Sequence, residues 1–248
     1  MGKERVLVSL EDITRDVRIT SKRLVVEVCV SSSKKYLKYY QDNIQEILEI
    51  VKRFYQRMKV NLDIRIVNQV SYFKLKPAEY LAVEILPLDE WTERNCQLFG
   101  LKSKFQKDWF CLKAMAISGI AHLKESIALI CVNPLYELCR IFMDKTTRNK
   151  LKAANIIHEL GHLMGLFHSH YLKSPVSDQS NQVPNFMSSK EFCLDKATEE
   201  FPEGIAFDEY QVKLIHSYLE KGRVYQLLKS ANFSMVEYIK MIKEVSQK

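Results

Sequence analysis

The sequence contains few of the residues that make long flexible segments. Glycine occurs 7 times and proline 6 times in 248 residues, about half of what average usage would supply. This scarcity argues against extended linkers and low-complexity tracts, and no internal repeat is visible. Hydrophobic residues make up 47% of the chain and charged residues 27%. We therefore expect an ordered protein with a sizeable core.

Long apolar runs are also missing. No stretch approaches the roughly 18 apolar residues of a membrane-spanning helix. The segment MGKERVLVSLEDITRD at the start lacks the apolar run and the small-residue cleavage site of a signal peptide. We therefore expect a cytoplasmic protein that does not enter a membrane.

The six cysteines show no disulfide or metal-binding pattern. They are far apart in the sequence, and none of them forms a CxxC pair. They are Cys29, Cys96, Cys111, Cys131, Cys139 and Cys193. This spacing favours buried free thiols over a disulfide framework or a four-cysteine zinc site.

The net charge says little about partners. Lys and Arg exceed Asp and Glu by 7, which allows an acidic partner without requiring one. The basic residues are spread along the chain and form no basic arm, and no nucleic-acid-binding motif is present. We expect a solvated Lys/Glu-rich surface and no nucleic-acid partner, and we leave the oligomeric state open.

Hydrophobic periodicity predicts an α/β fold. Residues 23–30 and 61–70 have the pattern of strands, and residues 35–58 between them carry apolar side chains at helical spacing. A β-α-β order is typical of two parallel strands with a crossover helix. Residues 80–86 predict a third strand, whereas residues 88–110 have no clean period and predict a long loop that can contain short helices.

The middle of the chain predicts two paired strands and then helices. The apolar segments 112–123 and 126–132 are separated by a short charged turn. Pro134 suits the first turn of the helix that follows them.

The next helix carries two of the chain's six histidines and ends at a glycine. Thr146 or Thr147 is the expected N-cap, and Gly165 marks its end. A polar loop is expected over residues 169–185. Helices are expected over residues 207–222 and again near the C-terminus.

Residues 158–168 read HELGHLMGLFH and contain the side chains that carry chemistry. Four residues turn a helix through about 400° and rise by about 6 Å, so His158 and His162 project from one face and can bind one ion. Zinc suits them, because imidazole nitrogens bind it at about 2.0–2.1 Å and catalytic sites use three protein ligands. Glu159 follows the first ligand and is placed to act as the general base of an HExxH zinc peptidase.

A third ligand is expected just beyond the helix. Gly165 can take the left-handed conformation that turns the chain away from the helix. His168, three residues further on, can then return to the metal. His170 offers a second imidazole, and we prefer His168 because both its spacing and the turn at Gly165 favour it.

The extended pattern HExxHxxGxxH resembles the motif of the metzincin zinc peptidases, which is followed by a methionine-bearing turn beneath the metal. Met187, in the segment NFMS, is the matching methionine. Within the metzincins, the HELGH form and the segments YLAVEILPLDEW at 80–91 and GIAHLKESIALICVNPLYE at 119–137 are similar to the archaemetzincins. The likeness covers about residues 80–190 and is strongest around the motif.

This resemblance implies both a fold and an activity. The fold is a twisted mixed β-sheet with an antiparallel edge strand, an active-site helix, a Met-turn and C-terminal helices. It implies one catalytic domain over residues 1–248, with an N-terminal subdomain at about 1–165 and a C-terminal subdomain at about 166–248. The implied activity is a zinc-dependent metallopeptidase with one catalytic Zn²⁺, whose peptide or protein substrate lies along an edge strand near 113–122.

The chain departs from the archaemetzincins where that family holds a second, structural zinc. The family's cysteine positions beside the third histidine and before the turn methionine are occupied by Ser169 and Asn185. Cys193 is the only cysteine after Cys139. We therefore expect the second zinc site to be absent.

Two other interpretations remain open at this stage. The first is a catalytically silent, zinc-stabilised protein that binds a peptide or another partner, although a degenerate protein would more often have lost Glu159. The second is a latent enzyme, in which a cysteine thiolate occupies the fourth zinc position or the C-terminal helices cap the cleft.

Overall fold

The structure, a computed structural model, describes residues 17–104, 106, 108, 110, 118–166, 187, 207 and 209–222. Within these residues, five strands form one sheet in the order β2-β1-β3-β5-β4. The strands are β1 (Arg23–Val30), β2 (Asn61–Ile66), β3 (Tyr80–Pro87), β4 (Gly119–His122) and β5 (Ile127–Val132). All neighbouring pairs are parallel except β4 and β5, which are antiparallel. The expected mixed α/β sheet is confirmed.

Helices pack on both faces of this sheet. They are α1 (Lys38–Arg57), α2 (Leu88–Leu98), α3 (Pro134–Arg140), α4 (Lys145–Leu163) and α5 (Glu209–Lys221). Short 3-10 helices cover Lys35–Leu37 and Tyr72–Lys74. Within the described residues, no helix has the length and apolar character needed to cross a bilayer.

The main core lies between the sheet and the pair α1 and α4. The apolar stripe of α1, which includes Ile44, Ile47 and Val51, is buried as its helical spacing predicts. Burying each such side chain stabilises the fold by about 1.5–3 kcal/mol. The buried hydroxyl of Tyr55 on α1 donates a hydrogen bond to the Ile157 carbonyl on α4, at 2.9 Å. This core and hydrogen bond hold α4 against α1 and the sheet.

Residues Leu88–Leu98 form the 11-residue helix α2, where the sequence predicts a long loop that can contain short helices. The helix packs on the second face of the sheet, where the indole nitrogen of Trp91 donates to the Leu129 carbonyl at 2.9 Å. Its buried stripe also includes the polar residues Thr92 and Asn95. A stripe with so few large apolar side chains has no clear hydrophobic period, which is why periodicity missed this helix.

The ends of α4 differ in part from expectation. Its N-cap is Asp144, not Thr146 or Thr147, and the Asp144 carboxylate accepts a hydrogen bond from the Thr147 backbone N–H at 3.0 Å. The helix ends at Leu163, and Gly165 has a φ of +89°. The left-handed turn predicted at this glycine is therefore confirmed.

The cysteines are less uniformly buried than expected. Cys96 is buried, Cys29 and Cys131 are half-buried, and Cys139 is exposed on α3. Cys111 and Cys193 lie outside the described residues.

Candidate metal centre

The structure brings the first two predicted ligands together. The Nε2 atoms of His158 and His162 are 3.0 Å apart on one face of α4. Their rings are nearly perpendicular, at 88°, with centroids 4.6 Å apart. Two nitrogens that bind one tetrahedral zinc at 2.0–2.1 Å lie about 3.3–3.4 Å from each other. The pair is therefore close to the separation that one zinc ion requires.

The protonation of His162 is set by a backbone carbonyl. Its Nδ1 lies 2.8 Å from the Leu166 oxygen, and a carbonyl only accepts hydrogen bonds, so Nδ1 carries the proton. In neutral His162 the lone pair is then on Nε2, the atom that faces His158. Carbonyl groups hold metal-binding histidines in this way in known metal sites.

The turn at Gly165 places that carbonyl. The Gly165 N–H donates to the His162 carbonyl, and the Leu166 N–H donates to the Gly161 carbonyl, both at 2.9 Å. These bonds fold the chain back over the last turn of α4. The glycine therefore does more than end the helix, because it also brings the Leu166 oxygen to the ligand histidine.

Glu159 is buried between α4 and the edge strand. Its side chain lies against Gly119, the first residue of β4, and only 4% of the residue is exposed. The Oε2 atom has no hydrogen-bond partner among the described residues. Burial raises the pKa of this carboxyl to about 8. A buried carboxyl oxygen without a partner is costly, so this oxygen is suited to a polar group that arrives with a ligand or substrate.

Met187 packs against α4 at Gly161, the residue directly before His162. A Cβ atom built on Gly161 would lie 2.7 Å from the Met187 sulfur and 3.3 Å from the Phe207 ring. Met187 is fully buried. The methionine that the motif singles out therefore lies at the ligand-bearing helix, in contact distance of the glycine inside HELGH.

The third predicted ligand, His168, lies outside the described residues, as do His170 and the segment 169–185. Over the described part of the chain, no group of three or more His, Cys, Asp or Glu side chains forms a metal-binding cluster. The structure therefore describes the histidine pair alone, and His168 as a third ligand stays a prediction.

Two other histidines have structural partners. His122 on β4 is buried on the face away from α4, and its Nε2–H donates to Asn95 Oδ1 at 2.7 Å. His216 on α5 accepts from the Thr20 N–H at 3.3 Å and donates to the Met58 carbonyl at 2.9 Å. These contacts give both histidines a structural role.

Among the residues that the structure describes, the edge strand beside Glu159 has no neighbouring strand on its outer side. β4 is the last strand in the sheet order, and within the described residues it pairs only with β5. Residues 113–117 of the expected edge strand lie outside the described residues. An open strand edge is a template for an added extended peptide.

Two groups at this site have no clear sequence signal. The Leu166 oxygen is a backbone atom, so no side-chain pattern predicts its role. The position of Gly119 against Glu159 joins residues 40 positions apart in the sequence, which only the packing of β4 on α4 reveals.

No protein-family model matches this sequence, and no curated protein matches it. Inferences about function therefore rest on the chain's own residues.

Proposed function

We propose that this protein is a zinc-dependent metallopeptidase of the metzincin type, closest to the archaemetzincins and without their second, structural zinc. One observation carries the proposal. The Nε2 atoms of His158 and His162 converge to 3.0 Å, and the hydrogen bond from His162 Nδ1 to the Leu166 oxygen leaves the His162 lone pair on the Nε2 atom that faces His158. Metal-binding histidines commonly donate their other ring N–H to a carbonyl in this way, which presents the second nitrogen to the metal.

The donor set fits zinc. His158 and His162 supply two neutral nitrogen ligands, and His168 is the third in this proposal. When bound, zinc supplies a Lewis acid that polarises a carbonyl oxygen and lowers the pKa of a coordinated water from 15.7 toward about 7.

Glu159 has the position that a general base requires. Its carboxylate is adjacent in sequence to the first ligand and buried, with one oxygen lacking a partner among the described residues. In the proposed reaction this carboxylate takes a proton from the attacking water. It then gives the proton to the amine that leaves as the peptide bond breaks.

The surrounding scaffold also agrees with this proposal. Met187 packs under α4 at Gly161, as expected for the residue of a Met-turn. The open side of β4 begins at Gly119, beside the Glu159 carboxylate. A peptide added along this strand brings its backbone to the general base, so a peptide or protein is the proposed substrate.

The first experiment tests the metal. The purified full chain is dialysed against zinc and its metal content measured for the parent, His162→Ala and His122→Gln. We expect one zinc per chain in the parent and in His122→Gln, since His122 is buried on the other face of the sheet. His162→Ala should hold much less than one. Equal zinc in all three proteins would contradict the ligand assignment.

The second experiment tests hydrolysis with a peptide library and the Glu159→Gln variant. The variant keeps the shape of the side chain and removes its basicity, so zinc content should be unchanged while cleavage falls by about 10²–10⁴-fold. Cleavage by Glu159→Gln at the parent rate would exclude the proposed role of the glutamate. One zinc per chain with no cleavage by the parent would favour the zinc-stabilised binding protein instead.

A further inference from the structure

We infer that Gly119 is a positioning residue for Glu159, and that the absence of a side chain at this strand position sets where the carboxylate lies. The inference rests on the proposed peptidase activity, because it assigns a role within that site. A Cβ atom on Gly119 would lie 2.4 Å from Oε1, 2.6 Å from Cδ and 2.7 Å from Cγ of Glu159. Real Cβ atoms do not approach other heavy atoms this closely, so any other residue at this position displaces the carboxylate.

Backbone conformation does not explain this glycine. A positive φ is recorded at Gly100, Gly165 and Gly222, and Gly119 is not among them. Position 119 is therefore one that alanine could adopt without backbone strain. Glycine weakens a strand because it adds no packing and costs conformational entropy, and within strands it often marks a close approach of other atoms. Here those atoms belong to the Glu159 side chain.

Neither backbone is free to move away from the other. The edge strand is held by its antiparallel ladder with β5, in which Gly119 is opposite Ile130. The Cys131 N–H also donates to the Ser118 carbonyl at 2.9 Å. Glu159 is held within α4, four residues before the end of that helix at Leu163. A methyl group at position 119 must therefore be accommodated by rotation of the Glu159 side chain.

Such a rotation acts on catalysis more than on binding. Glu159 is 4% exposed, so the carboxylate has little room and any move changes its distance to the attacking water. Misplacing a catalytic group by about 1 Å can cost about 10²-fold in rate. The three atoms nearest the added methyl group all belong to Glu159, so the main effect falls on this side chain and zinc binding should be preserved.

The test compares Gly119→Ala with Ala121→Ser in the zinc-loaded full chain. Ala121 lies on the same face of β4 and the substitution also adds one heavy atom, but at a position two residues from the carboxylate contact. We expect Gly119→Ala to keep one zinc per chain and a KM within about twofold of the parent while kcat falls about 10- to 100-fold. Ala121→Ser should keep both constants. A kcat for Gly119→Ala within twofold of the parent overturns the inference.

If Gly119→Ala folds poorly, a double-mutant cycle with Glu159→Ala, measured by Tm, tests the inference. In the parent, the added methyl group should lower Tm by several degrees, because Glu159 must be displaced within a packed site. In the Glu159→Ala background the clash is gone, and the same substitution should leave Tm unchanged or raise it. An equal loss of Tm in both backgrounds overturns the inference. A parent that binds zinc and cleaves no peptide instead rejects the proposed function, and with it any role of Gly119 in catalysis.

Discussion

The sulfur of Met187 occupies the space beside Gly161 that a side chain would need, because it lies 2.7 Å from the position of a Cβ atom on that glycine. Gly161 is inside the HELGH sequence, directly before His162. The methionine is fully buried, so it cannot withdraw into solvent. The glycine and the methionine therefore form one packing unit on the helix that carries the histidine pair, and each has the size that the other requires.

Gly161→Ala should destabilise the protein by about 1–2 kcal/mol. Alanine in a helix interior is usually favoured over glycine by up to about 1 kcal/mol, but overpacking a filled core costs about 1–3 kcal/mol. The free energy of unfolding is measured by urea titration of the zinc-free protein.

The control for this prediction is the same substitution in a Met187→Ala background. Met187→Ala leaves a cavity and should cost about 2–5 kcal/mol by itself. The alanine at 161 then has room and should be neutral or stabilising, so the two changes couple in a double-mutant cycle. A gain of about 1 kcal/mol from Gly161→Ala in the parent would contradict the packing described above.

Sequence patterns predicted the elements whose stability comes from large apolar side chains at regular spacing. β1 has the predicted bounds, and the buried stripe of α1 follows the predicted period. Helix α2 was missed because part of its buried stripe is polar, and those residues find partners only in the folded state. Asn95, for example, donates to the Trp91 carbonyl and accepts from His122.

The same distinction holds for the candidate site. The i, i+4 spacing predicted that His158 and His162 share one face, because that geometry is local to the helix. It could not predict Gly119 against Glu159, a contact made by packing a strand on a helix. Nor could it predict the Leu166 carbonyl, which the turn at Gly165 delivers as a backbone atom.

A buried ion cluster joins α3 to the ligand-bearing helix. The Glu137 carboxylate on α3 accepts from Lys152 Nζ at 2.8 and 2.9 Å and from Arg148 at 2.9 Å, both on α4. Arg140 adds a third cation at 3.2 Å. Burial opposes ionisation of Glu137, but Lys152 and the arginines outweigh it and hold the pKa of the carboxyl below its ordinary value.

This cluster predicts two unequal substitutions. Glu137→Gln leaves the cations without their shared counter-charge, and Lys152 is fully buried, so a loss of about 3–5 kcal/mol is expected. Lys152→Met keeps the carboxylate paired with both arginines and fills a similar volume, so a change of about 1 kcal/mol or less, of either sign, is expected. Both are measured by urea unfolding at pH 7. Equal losses for the two variants would contradict the central role of the carboxylate.

The last prediction concerns the pH dependence of stability and follows from His122. Burial, with a smaller effect of the Arg94 charge, lowers the pKa of this histidine from 6.5 to about 4. The ring packs beside Phe99, with centroids 4.7 Å apart, and its Nε2–H donates to Asn95. The folded protein therefore holds a neutral imidazole down to about pH 4, whereas the unfolded chain binds a proton near pH 6.5.

The sign follows from proton linkage. Between pH 6.5 and 4 the unfolded state binds more protons at this residue than the folded state, so stability falls as the pH falls. The full difference corresponds to about 3 kcal/mol, at 1.36 kcal/mol for each unit of pKa. His122→Gln can still donate to Asn95 but has no proton to gain, so its unfolding free energy should lack this contribution.

The measurement compares urea unfolding of the parent and His122→Gln from pH 7 to pH 4, with a chelator present so that zinc binding does not contribute. At pH 7 the parent should be the more stable protein, because the imidazole fits between Asn95 and Phe99 better than the amide does. The advantage should shrink by about 3 kcal/mol by pH 4, because only in the parent is the unfolded state stabilised by protonation of a histidine. A difference in unfolding free energy that stays constant over this range would mean that His122 has an ordinary pKa in the folded protein.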